Sequence, residues 1–296
     1  MNYLNDIHLE KINTSLLDFK NINISCEFFP SSNKKNFDKL LSITKRLSFF
    51  NPFFFSVTYG ANSGERNLTR DTVLSIKKNT KIKTIPHLTC VDLTFGQIQK
   101  IAENYWNNGI KSIIALRGDY PINAIKKDIY ALDLVCFLKK IANFKIFVAA
   151  YPEVHPEAKS AHFDLINLKK KIDAGAIGAI TQFFFDADKF LFFRDLCVAN
   201  GINKKIIPGI LPILDIHQLK RFSSLTNVYI PKYILNMYEG LDNDPITRSM
   251  LGFSIAIDML KKLYNEGVRD FHFYTLNKLE IIYPIFHFLG SYYKLM

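Results

Sequence analysis

The chain has 296 residues, 48% of them hydrophobic and 14% aromatic, with 26 Phe, which is ample material for a large buried core and excludes a disordered chain. Its net charge of +11 raises nucleic acid, a membrane surface or an anionic ligand as partners, but the lysines come in twos and threes, from Lys34-Lys35 to Lys261-Lys262, and form no basic arm. No apolar run resembles a signal peptide or reaches the roughly 20 residues that cross a bilayer, and Cys26, Cys90, Cys136 and Cys197 have no C-x-x-C spacing, so the expectation is a soluble, cytoplasmic protein with reduced thiols and no disulfide or zinc.

Residues 1–20 read as an N-terminal extension or helix packed on a single catalytic unit formed by 21–296. In that unit eight apolar, β-branched or aromatic runs alternate with helix-like segments: Ile22–Phe29, Pro52–Tyr59, Ile82–Leu88, Ser112–Leu116, Phe144–Ala150, Ala179–Phe184, Lys205–Leu211 and Asp270–Thr275. Taking Glu27, Thr58, His87, Asp119, Tyr151, Gln182 and Pro212 as markers of the first seven strand ends, the steps are 31, 29, 32, 32, 31 and 30 residues, the length of a βα unit. Between strands, Thr94 and Gln97 form a T-x-x-Q capping box before a helix over Phe95–Asn107 that Asn108-Gly109 stops. Asp173-Ala174-Gly175 ends a helix begun near Ala161, and Asn265-Glu266-Gly267 ends one that includes Ile255 to Tyr264. The last step, from Pro212 to Thr275, is 63 residues and holds an extra helix and a Pro/Asn/Asp-rich loop, Tyr238 to Pro245. Eight strands alternating with helices predict an α/β fold, a single-domain (β/α)8 TIM barrel. The rival, a doubly wound open sheet, wants G-x-G-x-x-G after its first strand, where this chain has Glu27-Phe28-Phe29-Pro30.

In a parallel barrel the C-terminal strand ends converge on one rim, where barrel enzymes hold their chemistry. Glu27, Thr58, His87, Arg117, Asp119, Tyr151, His155 and Gln182 stand there. Glu27 closes an apolar strand, where low dielectric raises a carboxyl pKa and suits it to general acid work; pairing with a rim arginine such as Arg117 is the structural alternative. Asp119 follows Arg117-Gly118, where glycine lets the backbone come close to a bound ring; an N-cap for the next helix is the alternative. His87 and His155 have no neighbouring carboxylate cluster, so no metal site is expected. Lys169-Lys170-Lys171, on one helix with Asp164 and Asn167, could reach a pyrophosphate or be a solvated face.

These strand ends carry a resemblance. SCEFFPS at 25–31, FSVTYGANSGERNLT at 55–69, PHLTC at 86–90, YWNNGI to ALRGD over 105–119, VAAYPEVHPEAKSA at 148–161, AITQFFFD at 179–186, PGILPI at 208–213 and DFHFYTLN at 270–277 resemble the bacterial methylenetetrahydrofolate reductase family, from about residue 20 to 290. The resemblance implies a FAD barrel that uses NADH to reduce 5,10-methylenetetrahydrofolate to 5-methyltetrahydrofolate, for methionine synthesis. It implies Glu27 as the general acid that opens the five-membered folate ring to an iminium ion, and Asp119 beside flavin and pterin, stabilising that cation. Gln182, Gln218 and Phe222 would contact folate or nicotinamide, and Tyr274 and Lys278 the folate. FAD would be held by Thr58, Tyr59, Ala61, His87, Arg117, Gly118, Asp119, Tyr130, Ala131, Tyr151, His155, Ala158, Asp164, Asn167, Lys170 and Lys171.

The chain departs from the family at Lys170 and Lys278, where arginine is common; lysine keeps the charge but loses the bidentate fork. The loop after Asp119, Tyr120 to Ile125, lacks the glycines often seen there. The resemblance further implies a homo-oligomer, often a tetramer, and, with the sequence ending near the last barrel helix, no inhibition by S-adenosylmethionine. A flavin barrel of the proline dehydrogenase kind and a non-catalytic basic module that binds nucleic acid are the competing readings.

Overall fold

The computed structural model describes residues 19, 21–59, 63–119 and 129–290, with side chains omitted for 63–66. The expected extension over 1–20 lies almost wholly outside them, as do Ala61 and the loop over 120–128. In chain order the elements are β1 (Asn23–Phe28), α1 (Lys34–Ser48), β2 (Phe54–Val57), α2 (Ser63–Thr80), β3 (Thr84–Thr89), α3 (Phe95–Asn107), β4 (Ser112–Leu116), α4 (Ala131–Ile141), β5 (Lys145–Ala150), α5 (Ala161–Asp173), β6 (Ala176–Phe183), α6 (Ala187–Ala199), β7 (Lys205–Ile210), α7 (Ile216–Thr226), α8 (Lys232–Met237), α9 (Pro245–Asn265), β8 (Asp270–Tyr274) and α10 (Leu279–Phe288). Each strand pairs in parallel with the next and β8 pairs with β1, so the sheet closes as an eight-stranded barrel.

Strand alternation sorts the side chains into two cores. Outward residues such as Ile24, Cys26, Phe28, Phe55, Val57, Phe271 and Phe273 pack against the helices in one continuous layer. Inward residues Phe54, Ile85, Ile114, Phe147, Ile180 and Ile207 fill the barrel itself. This apolar plug blocks the lumen and leaves the open mouth above it to polar groups.

Helix starts follow the local chemistry. Thr94 accepts from the Gln97 backbone N–H while the Gln97 side chain accepts from Thr94 N–H at 2.9 Å, completing the capping box. Asn33, Ser160, Asp186, Asp215 and Asp244 cap α1, α5, α6, α7 and α9 in the same way, each contact worth about 1 kcal/mol.

Beyond small shifts at strand ends, the start of β6 and the insertion before β8 differ from the sequence reading. β6 begins at Ala176 rather than Ala179, because Gly175 at φ +113° turns the chain straight from α5 into the sheet. Between β7 and β8 lie three helices, two beyond the crossover helix rather than one. Asn227 in the left-handed conformation stops α7, and Pro231 starts the short α8.

Candidate active site

Glu27 ends β1 on the inward side, buried among the strand ends. Its Oε2 lies 3.3 Å from His87 Nε2 on β3 and 3.7 Å from His272 Nε2 on β8. Both imidazole nitrogens are buried and lack a well-directed hydrogen bond, so the contacts are electrostatic. Burial pushes the Glu27 carboxyl up, but the charge of His87 and the contacts with both rings outweigh it and hold the group at about 2. This corrects the sequence reading, which expected low dielectric to raise it: the apolar setting is real, but two histidines face the carboxylate. The alternative pairing with Arg117 also falls, since Arg117 Nη1 binds the Glu157 carboxylate.

Behind Glu27 the mouth has a firm floor. His272 is fully buried, with Nδ1 2.8 Å from Ser25 Oγ. The Tyr274 hydroxyl donates to Thr181 O at 2.7 Å, tying β8 to β6. Burial, with Glu27 and Tyr151 adding to it, drives the Tyr274 hydroxyl well above its ordinary range, so it stays a neutral donor. The Thr181 hydroxyl in turn accepts from Gly209 N at 2.9 Å. Gly209 has no room for a side chain: a Cβ there would meet Thr181 O at 2.2 Å and Tyr274 Cε2 at 2.5 Å.

A second group stands on the ends of β4 and β5 and on α5. Gly118 has φ +87°, and a Cβ there would lie 2.7 Å from Val91 and 2.8 Å from Thr89. The close approach that requires glycine is thus to the chain's own β3 end. Asp119 is exposed and is not the cap of α4, which starts at Ala131 after Tyr130; there Tyr130 N–H donates to Asp133 at 2.8 Å. Tyr151 packs edge-on against His155 with ring centres 4.6 Å apart. Burial and then the negative charge of Asp119 push the Tyr151 hydroxyl up to about 12. Asp164 accepts from His155 N at 2.9 Å, and Ala158 N donates to His155 O at 2.9 Å, folding this loop over the helix start.

The three lysines of α5 divide. Lys169 makes a 2.9 Å ion pair with Asp173, the solvated arrangement. Lys170 is exposed, whereas Asn167 is half-buried. Lys171 reaches from α5 to the β5 strand to donate to Ala149 O at 2.8 Å, and burial lowers its ammonium to about 8 against the opposing pull of Asp164.

On the β6 to β8 side, the Gln182 side chain accepts from Phe183 N at 3.0 Å. Gln218 and Lys278 line one cleft of about 760 Å³ together with Arg221 and Arg248. Phe222 is half-buried and packs on the outer core. A hollow of about 240 Å³ at the opposite end of the barrel, walled by Phe19, Ile22, Phe50 and Phe53, contains no titratable group among the described residues.

His272, Ser25 and Glu157 were not singled out in the sequence. The signal for His272 was present: in Asp270-Phe271-His272-Phe273-Tyr274 it shares the inward face with Tyr274, and a histidine on the inner face of a barrel strand is a polar group with few partners to choose from. Among the described residues no helix is long and apolar enough to cross a membrane, and no group of three His, Cys, Asp or Glu could hold a metal.

A closed parallel barrel whose mouth holds a buried carboxylate between two imidazoles, beside a rim of arginine, lysine and tyrosine, is that of a barrel enzyme with acid–base chemistry at the strand ends. Comparison with known proteins makes it specific. Residues 11–290 match the family model for methylenetetrahydrofolate reductase. The 5,10-methylenetetrahydrofolate reductase of Pectobacterium carotovorum subsp. carotovorum is 54% identical over 98% of each chain. That of Buchnera aphidicola subsp. Schizaphis graminum is 54% identical over 98% of this chain and 100% of its own. An uncharacterized protein from Clostridium thermocellum, described as binding two copies of 5-methyl-5,6,7,8-tetrahydrofolic acid, shares the fold with TM-score 0.61 at 14% identity, covering 95% of this chain and 99% of its own. The chain belongs to the methylenetetrahydrofolate reductase family, and its reaction is the reduction of methylenetetrahydrofolate.

Proposed function

We propose that the chain is a FAD enzyme that passes a hydride from NADH to 5,10-methylenetetrahydrofolate, giving 5-methyltetrahydrofolate for methionine synthesis. The observation that carries the reading is Glu27, a carboxylate buried at the barrel mouth with His87 3.3 Å away, in a chain of this family. The donors on the opposite quadrant fit a dinucleotide. Arg117 and Lys171 offer cationic N–H groups for a diphosphate, with Lys170 beside them, while Asp164 and Asn167 suit ribose hydroxyls. Thr58, Tyr59, Ala61, His87, Gly118, Tyr130, Ala131, Tyr151, His155 and Ala158 complete this binding set. When bound, FAD supplies a two-electron carrier that takes hydride from one substrate and returns it to the other.

The protein's own groups do the rest. Glu27 delivers a proton to the folate nitrogen whose C–N bond opens, and Asp119 sets a negative charge beside the iminium ion that results. Gln182, Gln218 and Phe222 orient folate and nicotinamide in turn over one face. Tyr274 forms the floor beneath the pterin, and Lys278 meets the glutamate carboxylates at the edge of the Gln218 cleft. One face serving two substrates in succession gives parallel double-reciprocal plots; intersecting plots would refute it. The purified protein is expected to show flavin absorption bands that bleach with NADH and return with methylenetetrahydrofolate. A colourless preparation, or bands that folate fails to restore, would overturn the proposal. The same reading makes the enzyme a cytoplasmic homo-oligomer, which light scattering on the eluting protein tests; a monomeric mass would contradict it.

A further inference from the structure

His272 is the least expected polar group in the molecule. It sits in the middle of β8, wholly shut off from solvent, in register with Ser25 on β1 and Gly209 on β7. Its ring stacks on Phe54 with centres 5.7 Å apart and meets the edge of Tyr274 at 5.6 Å, so it has one orientation.

Ser25 determines which nitrogen carries the permanent proton. We assign the single hydrogen of the Ser25 hydroxyl to Phe271 O, 3.2 Å away, which leaves the closer contact with His272 to be donated by the ring. Its oxygen therefore accepts from His272 Nδ1, 2.8 Å away. Nδ1 keeps its hydrogen whether the ring is neutral or charged, and only Nε2 gains or loses one. Nε2 has no well-directed hydrogen bond, and the acidic group facing it is Glu27 Oε2 at 3.7 Å.

Resting on the reading of Glu27 as the proton donor, the geometry points to His272, anchored by Ser25, as the positioning residue that holds the proton Glu27 hands to the folate. The sequence of bonds balances. The Nε2–H bond of the imidazolium breaks as an O–H bond forms on Glu27 Oε2, leaving a neutral ring. That O–H bond breaks as an N–H bond forms on the folate nitrogen, leaving Glu27 a carboxylate, and the pair takes one proton from solvent after the product leaves. A substrate ring over the mouth blocks water from Glu27, so a proton stored behind the carboxylate solves a supply problem that an isolated glutamate would face. Burial works against the imidazolium more strongly than the facing carboxylate works for it, so the ring lies below its ordinary range, and the two groups titrate as a pair. The other titratable groups that face the ring are His87 on β3 and the Tyr274 hydroxyl on its own strand; β2 presents Phe54 and β7 presents Gly209.

The test uses His272→Gln in the FAD-loaded enzyme, with each half-reaction followed by stopped-flow absorbance across pH. The glutamine amide occupies the Nε2 position and donates to Glu27 but cannot release a proton. Reduction by NADH is expected to keep its rate. Reoxidation by methylenetetrahydrofolate is expected to slow about tenfold or more at neutral pH, through kcat rather than KM, with its pH midpoint moved down by about one unit. Ser25→Ala is expected to shift the same midpoint by less. An unchanged rate and midpoint in His272→Gln, or a shift produced by His87→Gln alone, would overturn the inference. If Glu27→Gln also left folate reduction intact, the reading of Glu27 itself would fall; if Glu27→Gln abolished it while His272→Gln did nothing, only this inference would. Should His272→Gln fail to fold, histidine ring ¹⁵N signals in the native protein carry the test. A ring protonated at Nδ1 at high pH, with a titration that moves in Glu27→Gln, supports the inference; a ring protonated at Nε2 in its neutral form overturns it.

Discussion

Gly209→Ala perturbs the floor of the mouth in a way whose cost follows from the structure. The new methyl carbon would sit 2.2 Å from Thr181 O and 2.5 Å from Tyr274 Cε2. Neither can yield cheaply, because Thr181 O belongs to the strand backbone and accepts the 2.7 Å hydrogen bond of Tyr274, whose ring is wedged against His272. Relief requires β6 and β7 to part by about 1 Å, which costs about 1–3 kcal/mol for overpacking and about 1 kcal/mol for the displaced hydrogen bond. At about 2–4 °C per kcal/mol for a large domain, the melting temperature should fall by roughly 4–16 °C. Gly96→Ala is the control of opposite sign. It lies in α3 with nothing within 4 Å of the added carbon, and alanine there should stabilise by up to about 1 kcal/mol. Calorimetry of the three proteins checks both. A Gly209→Ala variant melting within about a degree of the native protein would show that the β6–β7–β8 corner is looser than this packing requires.

Other consequences concern the charges. Because Glu27 is held at about 2 rather than its ordinary 4.5, its ionised form stabilises the fold. That contribution, roughly 3 kcal/mol, is present in full above about pH 4.5 and is lost as pH falls through about 2. Urea denaturation from about pH 6 to 2 should therefore show the native protein losing its advantage over Glu27→Gln across that window; parallel curves would contradict it. Lys278→Arg restores a forked donor at the Gln218 cleft, and KM for the folate should fall severalfold with kcat unchanged; an unchanged KM would remove Lys278 from the folate site.

The barrel was legible because each strand end announces itself twice, by the close of an apolar run and by the turn chemistry after it. The near-constant step along the chain reported one βα unit repeated, and the Thr94–Gln97 box gave the start of α3 to the residue. The rim residues were legible for the same reason: Glu27, Asp119 and Tyr151 stand at or just beyond their strand ends. What the sequence concealed was pairing across the barrel. Glu27 and His272 are 245 positions apart and meet only because β8 closes on β1. Without that closure burial alone seemed to govern the carboxyl, and the direction of its shift came out wrong. At Gly118 the structure adds a demand invisible in the sequence, since a Cβ there would meet Val91 and Thr89. The doubled insertion before β8 was hidden because α8 spans only six residues, too few to show a helical period.

The most direct test of the central claim, that Glu27 protonates the folate, separates the two half-reactions of Glu27→Gln by stopped-flow absorbance. The account requires reduction by NADH to proceed at nearly the native rate while methylenetetrahydrofolate fails to reoxidise the flavin. Equal losses in both half-reactions, or reoxidation at the native rate, would contradict it.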